Sequence, residues 1–181
     1  GKFELTDDDR DIKSISSDGY LEITKTTFGS KRTIKISAQG NTVKREYFEG
    51  RTAVSYEPEG RKWLSEILPE VVRTTTLAAE SRVNRFYKNG GTNAVLKEID
   101  LLEGDYVKAH YANLLMKLPV AAKEYASIVT SVSSELNSDH YLSEFLENNL
   151  NKFMQTREST EALFAATNNM GSDHYKTQVI K

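Results

Sequence analysis

The tetrapeptide Ser-Asp-His-Tyr occurs twice in this chain, at residues 138–141 and 172–175. The copies lie 34 residues apart, and one more step of 34 residues toward the N-terminus leads from Asp139 to Asp105. Apolar residues recur in the same register: Leu102, Leu136 and Met170 in one set, and Val95, Val129 and Leu163 in another. A period of about 34 residues with regular apolar positions is typical of stacked helical hairpins. We therefore predict a helical-hairpin repeat in the C-terminal part of the chain.

The two Asp-His pairs raise the alternative of a metal site or an acid–base dyad. Tyr106 stands where His140 and His174 stand in the later copies, and a tyrosine cannot do the same metal or proton chemistry. Ser138 and Ser172 stand at predicted N-cap positions, each followed by an aspartate that the helix dipole favours. His140 lies far from the apolar stripe of its helix and is predicted to face solvent. We therefore interpret the tetrapeptide as a structural repeat, and we predict no metal and no cofactor.

An acidic stretch near the N-terminus has the outline of a calcium loop. Asp7, Asp9, Asp11 and Asp18 fall at loop positions 1, 3, 5 and 12, but Ile12 occupies the position that requires glycine. The stretch is therefore predicted to be a solvated acidic turn.

Residues 1–57 alternate apolar and polar side chains in the manner of strands with one buried face. Leu21 and Ile23 show the pattern, as do Ile34 and Ile36. Glycines 29, 40 and 50 suit tight hairpin turns, so neighbouring strands must pair antiparallel. We predict an antiparallel β-meander of about four strands, with a further strand near residues 3–5.

After Pro58 the apolar spacing becomes helical, and Pro69 is predicted to kink or divide the first helix. Thr92 is predicted to cap a later helix after a stop at Gly90. The predicted fold class is α+β, with a β-meander over residues 1–57 and stacked helical hairpins over residues 58–181. The two parts are compatible with one continuous domain.

Two segments combine basic and aromatic side chains that could bind a ligand or a partner by charge and stacking. They supply four candidates, and the single tryptophan on the first helix is a fifth: Arg45, Tyr47, Arg85, Tyr87 and Trp63. Packing within the sheet and the helices is the alternative for each of them. In that alternative, the apolar face of the sheet is predicted to pack against the helix that carries Trp63.

Composition excludes several classes of function. The chain has 24 basic and 26 acidic residues, a net charge of −2, so it lacks the positive charge that nucleic-acid binding requires. No apolar run reaches the roughly 18–20 residues of a membrane span. There are no cysteines for disulfides or thiolate zinc sites.

The runs "EGRKWLSEILPEVVRTT", "GGTNAVLKEI" and "DYVKAHY" resemble an uncharacterised bacterial envelope family. That family is similar to the extracytoplasmic C-terminal regions of membrane-bound antirepressor metallopeptidases of the beta-lactam-sensor type. The resemblance covers roughly residues 4–176 and implies an accessory or sensing module, with no catalytic residues to transfer. A start at Gly1-Lys2 without methionine is compatible with removal of a preceding segment, and we expect an extracytoplasmic location.

We expect a non-enzymatic binding or accessory module that presents its helical-repeat surface to a protein partner. One alternative is the ligand-sensing domain of a membrane regulatory system, which would bind at the sheet–helix junction. The other is a hydrolase that uses carboxylates such as Glu103, Asp105 or Asp139. Two such groups in one cleft, one with a pKa raised by burial, would favour the hydrolase.

Overall fold

The computed structural model of the protein describes residues 1–180. The chain divides into two compact units, with the boundary between Arg82 and Val83. Residues 57 and 58 mark the change from strands to helices. They do not mark the boundary between the two units, because the first helix belongs to the same unit as the strands and shares their core.

The strands lie in the first unit and are antiparallel to their neighbours. In chain order they are β1 Phe3–Leu5, β2 Ile12–Ile15, β3 Tyr20–Thr27, β4 Ser30–Gln39, β5 Thr42–Glu49 and β6 Thr52–Val54. Strands β3 to β6 form the predicted four-stranded meander, and β1 pairs with β2 in a separate small sheet. Residues 12–15, which were predicted to belong to the acidic turn, form strand β2.

The helices follow from residue 61 onward. In chain order they are α1 Arg61–Thr74, α2 Ala79–Leu101, α3 Asp105–Met116, α4 Tyr125–Glu135, α5 Asp139–Asn148, α6 Leu150–Phe153, α7 Arg157–Asn168 and α8 Asp173–Ile180. The predicted α+β fold class is thereby confirmed, with an N-terminal meander followed by helices.

The core of the first unit lies between the meander and α1. Ile23, Ile34 and Ile36 are buried on one face of the sheet, and they cluster with Trp63 and Leu64 of α1. A sheet with one apolar face needs such a cover, because an isolated meander is only marginally stable in water. The predicted packing of the sheet against the helix that carries Trp63 is confirmed.

Helix α1 continues through Pro69, so the predicted division of this helix is wrong. Proline lacks the N–H that would bond to the carbonyl four residues earlier, here that of Ser65. The guanidinium of Arg10 donates a hydrogen bond to this carbonyl oxygen at 3.2 Å. The side chain of a distant residue thus provides the donor that the helix itself cannot provide.

The helices of the second unit follow the 34-residue period of the sequence. Helices α3, α5 and α8 begin at Asp105, Asp139 and Asp173, one period apart. Helix α5 packs against α3 and α8, and α4 packs against α7. Gly91 interrupts α2 with φ 66° and ψ −158°, near the predicted stop. The buried Thr92 hydroxyl lacks a hydrogen-bond partner among residues 1–180, so the predicted cap by its side chain is wrong.

The turn between β3 and β4 places Phe28 in the left-handed region, at φ 49°, with its side chain fully exposed. With Gly29 at φ 81° it forms a two-residue hairpin loop, for which Asn-Gly is the preferred pair. We expect Phe28→Asn to raise the free energy of unfolding by about 0.5–1 kcal/mol, because asparagine tolerates this conformation better. Denaturant unfolding measures the gain. Phe28→Ala is the control, because alanine bears the same cost of the left-handed conformation as phenylalanine. Equal stability of the asparagine and alanine variants would contradict this explanation.

Candidate functional site

Two of the five candidate residues belong to the core of the first unit. The rings of Tyr47 and Trp63 pack with their centroids 6.0 Å apart. Their exposed fractions are 2% and 7%, so most of the surface of both rings is covered by the protein itself. Burial, with a hydrogen bond to Glu49, raises the pKa of the Tyr47 hydroxyl. Both aromatic residues therefore pack within the core, which was the alternative to a binding role.

Arg45 lies in the same unit and ties strand β5 to the small sheet. Its Nη2 is 2.8 Å from Oδ1 of Asp11 and donates a second hydrogen bond to the carbonyl oxygen of Ile12 at 2.6 Å. The guanidinium of Arg61 also reaches Asp11, at 3.4 Å. Asp11 is therefore part of a charge cluster rather than of a solvated turn, and Arg45 is engaged within the protein.

The remaining two candidates lie on α2 in the second unit. The Arg85 guanidinium sits over the ring of Phe86, 5.1 Å from its centroid. The Tyr87 hydroxyl donates a hydrogen bond to the carbonyl oxygen of Pro119 at 3.1 Å. The five candidates are thus divided between two units and engaged in internal contacts.

Two of the carboxylates considered for a hydrolase make the same contact one repeat apart. Oδ2 of Asp105 accepts a hydrogen bond from the backbone N–H of Ser138 at 2.6 Å. Oδ2 of Asp139 accepts one from the N–H of Ser172 at 2.8 Å. The first aspartate of each helix therefore holds the start of the equivalent helix in the next repeat. We call this contact the repeat clamp.

The repeat clamp refines the predicted helix caps. Ser138 occupies the N-cap position of α5, as predicted, but its side chain makes no capping hydrogen bond. Its contribution is the backbone N–H, which the preceding repeat binds. Sequence spacing alone could not show this, because the partner lies one full repeat away.

We expect Asp139→Ala to lower the free energy of unfolding by about 1–3 kcal/mol, because it leaves the Ser172 N–H without its charged acceptor. Amide hydrogen exchange across α8 should also accelerate. Asp173→Ala is the matched control, since Asp173 holds the equivalent position and its side chain is 98% exposed. Equal losses in the two variants would show that the clamp contributes nothing beyond the charge at a helix start.

A continuous line of aromatic rings crosses α3, α5 and α8 at their N-terminal turns. Six rings take part, and we call this set the aromatic row: His110, Tyr106, Tyr141, His140, Tyr175 and His174. Successive centroid distances in that order are 6.3, 6.1, 5.0, 5.8 and 5.2 Å. Both copies of the repeated tetrapeptide contribute their histidine and tyrosine to this one surface.

The aromatic row is accessible to solvent. Tyr106 is 57% exposed, and His140 and His174 are exposed as well. Burial, together with the charge of Lys117, lowers the pKa of the His110 imidazole. Each exposed ring contacts a half-buried neighbour, and together they offer stacking faces and apolar edges to a ligand.

The predicted solvent-facing position of His140 is confirmed, but the row itself was not recognised from the sequence. The period matches Tyr106 with His140 and His174, whereas Tyr141 corresponds to Val107. Contacts in the row alternate between these two register positions. The signal that could have revealed it is the pair of adjacent aromatic residues in each tetrapeptide.

Across residues 1–180 there is no group of three or more His, Asp or Glu side chains arranged as metal ligands. The same range contains no helix that combines the length and the apolar character of a transmembrane span.

Comparisons with protein-family models, with curated proteins and with solved structures found no match to this chain.

Proposed function

We propose that the protein is a non-enzymatic binding module that presents the aromatic row of its helical repeat to a protein partner. The observation that carries the proposal is the row itself, six adjoining rings at the surface of three packed helices. Tyrosine is enriched in protein interfaces because it buries a large area while keeping a polar tip. The period of the sequence alone does not require aromatic side chains at these exposed positions.

An accessory role at the bacterial cell envelope is part of the same proposal. It rests on the resemblance of the chain to extracytoplasmic regions of sensor-type antirepressor metallopeptidases. In that setting the module would recruit a partner to a regulatory system rather than carry out a reaction.

The contacts of the carboxylates support a binding role over hydrolysis. Asp105 and Asp139, which a hydrolase would need as free groups, each accept a backbone hydrogen bond in the repeat clamp. The sensor alternative would need open side chains at the junction of the sheet and α1. Trp63 and Tyr47 are packed there, which favours the repeat surface as the place of binding.

A selection from a displayed library of random peptides tests the proposal. We expect selected peptides to bind the protein and to lose at least about tenfold in affinity on Tyr106→Ala or His140→Ala, because truncating a central interface aromatic costs about 1.4 kcal/mol or more. Both side chains are exposed, so the variants should fold normally, and circular dichroism verifies this.

Tyr20→Ala is the matched control, since Tyr20 is 56% exposed but lies on the sheet of the first unit. Affinity should be unchanged in this variant. If no peptide is enriched, or if the enriched peptides bind the row variants as well as the unchanged protein, the proposal is wrong.

A further inference from the structure

From the shape and the charge of the aromatic row we infer that its partner contributes a proline-rich segment with basic side chains, bound in the polyproline II conformation. This inference rests on the proposed function, because it specifies the chemistry of the partner at the same surface.

The spacing of the row matches that of a polyproline II helix. Each packed helix adds one step, and helices packed side by side lie about 8–10 Å apart. A polyproline II helix advances about 9 Å in one turn of three residues. His140 and His174 hold equivalent positions one repeat apart, and both contact Tyr175, at 5.8 and 5.2 Å. A segment with proline at every third position would therefore meet equivalent histidine–tyrosine pairs on α5 and α8, and Tyr106 at the position of the histidine on α3.

Neighbouring rings of the row are tilted against one another. From Tyr106 onward, successive ring planes are tilted by 59°, 60°, 59° and 71°. Tilted neighbours leave V-shaped notches that a pyrrolidine ring can enter from above. A sugar ring instead stacks flat on an aromatic face, and a glycan chain needs successive faces that are close to coplanar. The tilt therefore favours prolines over a polysaccharide.

Exposed carboxylates lie near the row. Glu103 and Glu144 are exposed on or beside the helices that carry it, and so is Asp173, whose Oδ1 lies 3.7 Å from Nζ of Lys176. Glu144 follows His140 by one helical turn and so lies on the same side of α5. Residues 83–181 contain 10 Lys and Arg against 12 Asp and Glu. Arginine or lysine beside the prolines would complement these carboxylates and select the orientation of the bound segment.

The partner conformation also limits the entropic cost of binding. A proline-rich segment already populates polyproline II in solution, so docking it orders few additional dihedral angles. A shallow surface such as this row can then bind it without an enclosed cavity.

Titration calorimetry with synthetic peptides tests the inference. The probe is a peptide of about 12 residues, four turns of polyproline II, with proline at every third position and arginine at both ends. The controls are a peptide of the same composition with the proline spacing scrambled, and one with glutamate in place of arginine. We expect the probe to bind at least about tenfold more tightly than either control, and Tyr106→Ala or His140→Ala to weaken its binding about tenfold or more.

The possible failures are distinguishable. Equal binding of the scrambled peptide would overturn the inference, because charge alone would then explain the affinity. Binding of a chitin-derived oligosaccharide that depends on Tyr106, with none of the proline probe, would reassign the row to glycans. If the library yields peptides that depend on the row but lack proline, the proposed function stands and this inference fails. If no peptide depends on the row, both fail.

Discussion

Replacing Arg82 by methionine should lower the free energy of unfolding by about 3–5 kcal/mol, the cost of breaking a buried ion pair by removing one partner. The Arg82 side chain is 1% exposed, and that of its partner Asp9 is 13% exposed. Nε and Nη2 of Arg82 lie 3.1 and 2.8 Å from Oδ2 of Asp9, and Nη1 donates to the carbonyl oxygen of Val72. Without the guanidinium, the Asp9 carboxylate would remain in a desolvated position without this partner.

Chemical denaturation measures this loss, with Lys25→Met as the matched control. The Lys25 ammonium meets Glu70 at 2.8 Å, but both side chains are about half exposed. An exposed pair contributes little, so this variant should change stability by less than about 1 kcal/mol. A similarly small effect of Arg82→Met would show that the Arg82–Asp9 pair contributes no more than a surface salt bridge.

The double variant Arg82→Met with Asp9→Asn gives an independent check. Each single change removes one side of the Arg82–Asp9 ion pair and leaves the other charge buried, whereas the double change removes both charges. The loss in the double variant should therefore be smaller than the sum of the two single losses. Additive losses would mean that the two side chains stabilise the fold separately.

Replacing Trp63 by alanine should lower the free energy of unfolding by about 3–5 kcal/mol, because it opens a cavity between the sheet and α1. The side chain is 7% exposed and packs against Tyr47, within the cluster that joins the two layers. No other tryptophan occurs in the chain, so its fluorescence also reports the unfolding of this unit directly in the unchanged protein.

Two comparisons make the Trp63 prediction specific. Trp63→Phe keeps most of the buried area and should cost less than the alanine change. Tyr20→Ala removes an aromatic side chain that is 56% exposed on the same unit and should change stability by about 0.5 kcal/mol or less. A loss below about 1 kcal/mol for Trp63→Ala would contradict its role as the anchor of the sheet.

Local patterns were sufficient for much of this fold. The hairpins of β3, β4 and β5 were predictable because the alternation of side chains and the glycine turns act over a few residues. The starts of α3, α5 and α8 were predictable because the same residues recur at a fixed period. In each case the interactions that determine the structure lie within one strand or helix, between neighbouring strands, or between equivalent helices of the repeat.

The acidic N-terminal stretch shows why other features were not predictable. Asp9 pairs with Arg82 and Asp11 pairs with Arg45, at separations of 73 and 34 residues. Nothing in the local sequence distinguishes these two carboxylates from Asp7 and Asp8, which are exposed. The Ser65 carbonyl oxygen, which Pro69 leaves without a donor within α1, likewise accepts its hydrogen bond from Arg10, which is distant in the chain.

The sequence by itself determined the order of strands and helices, the repeat period and the solvent-facing position of His140. Only the tertiary structure decided that Asp105 and Asp139 hold the following repeat and that the paired aromatic residues of successive repeats join into one row. The physical reason is that the period of a sequence predicts only which side of a helix a residue occupies. A contact between repeats also depends on how far one helix is shifted and rotated against the next. That shift and rotation result from the packing of the whole helical core.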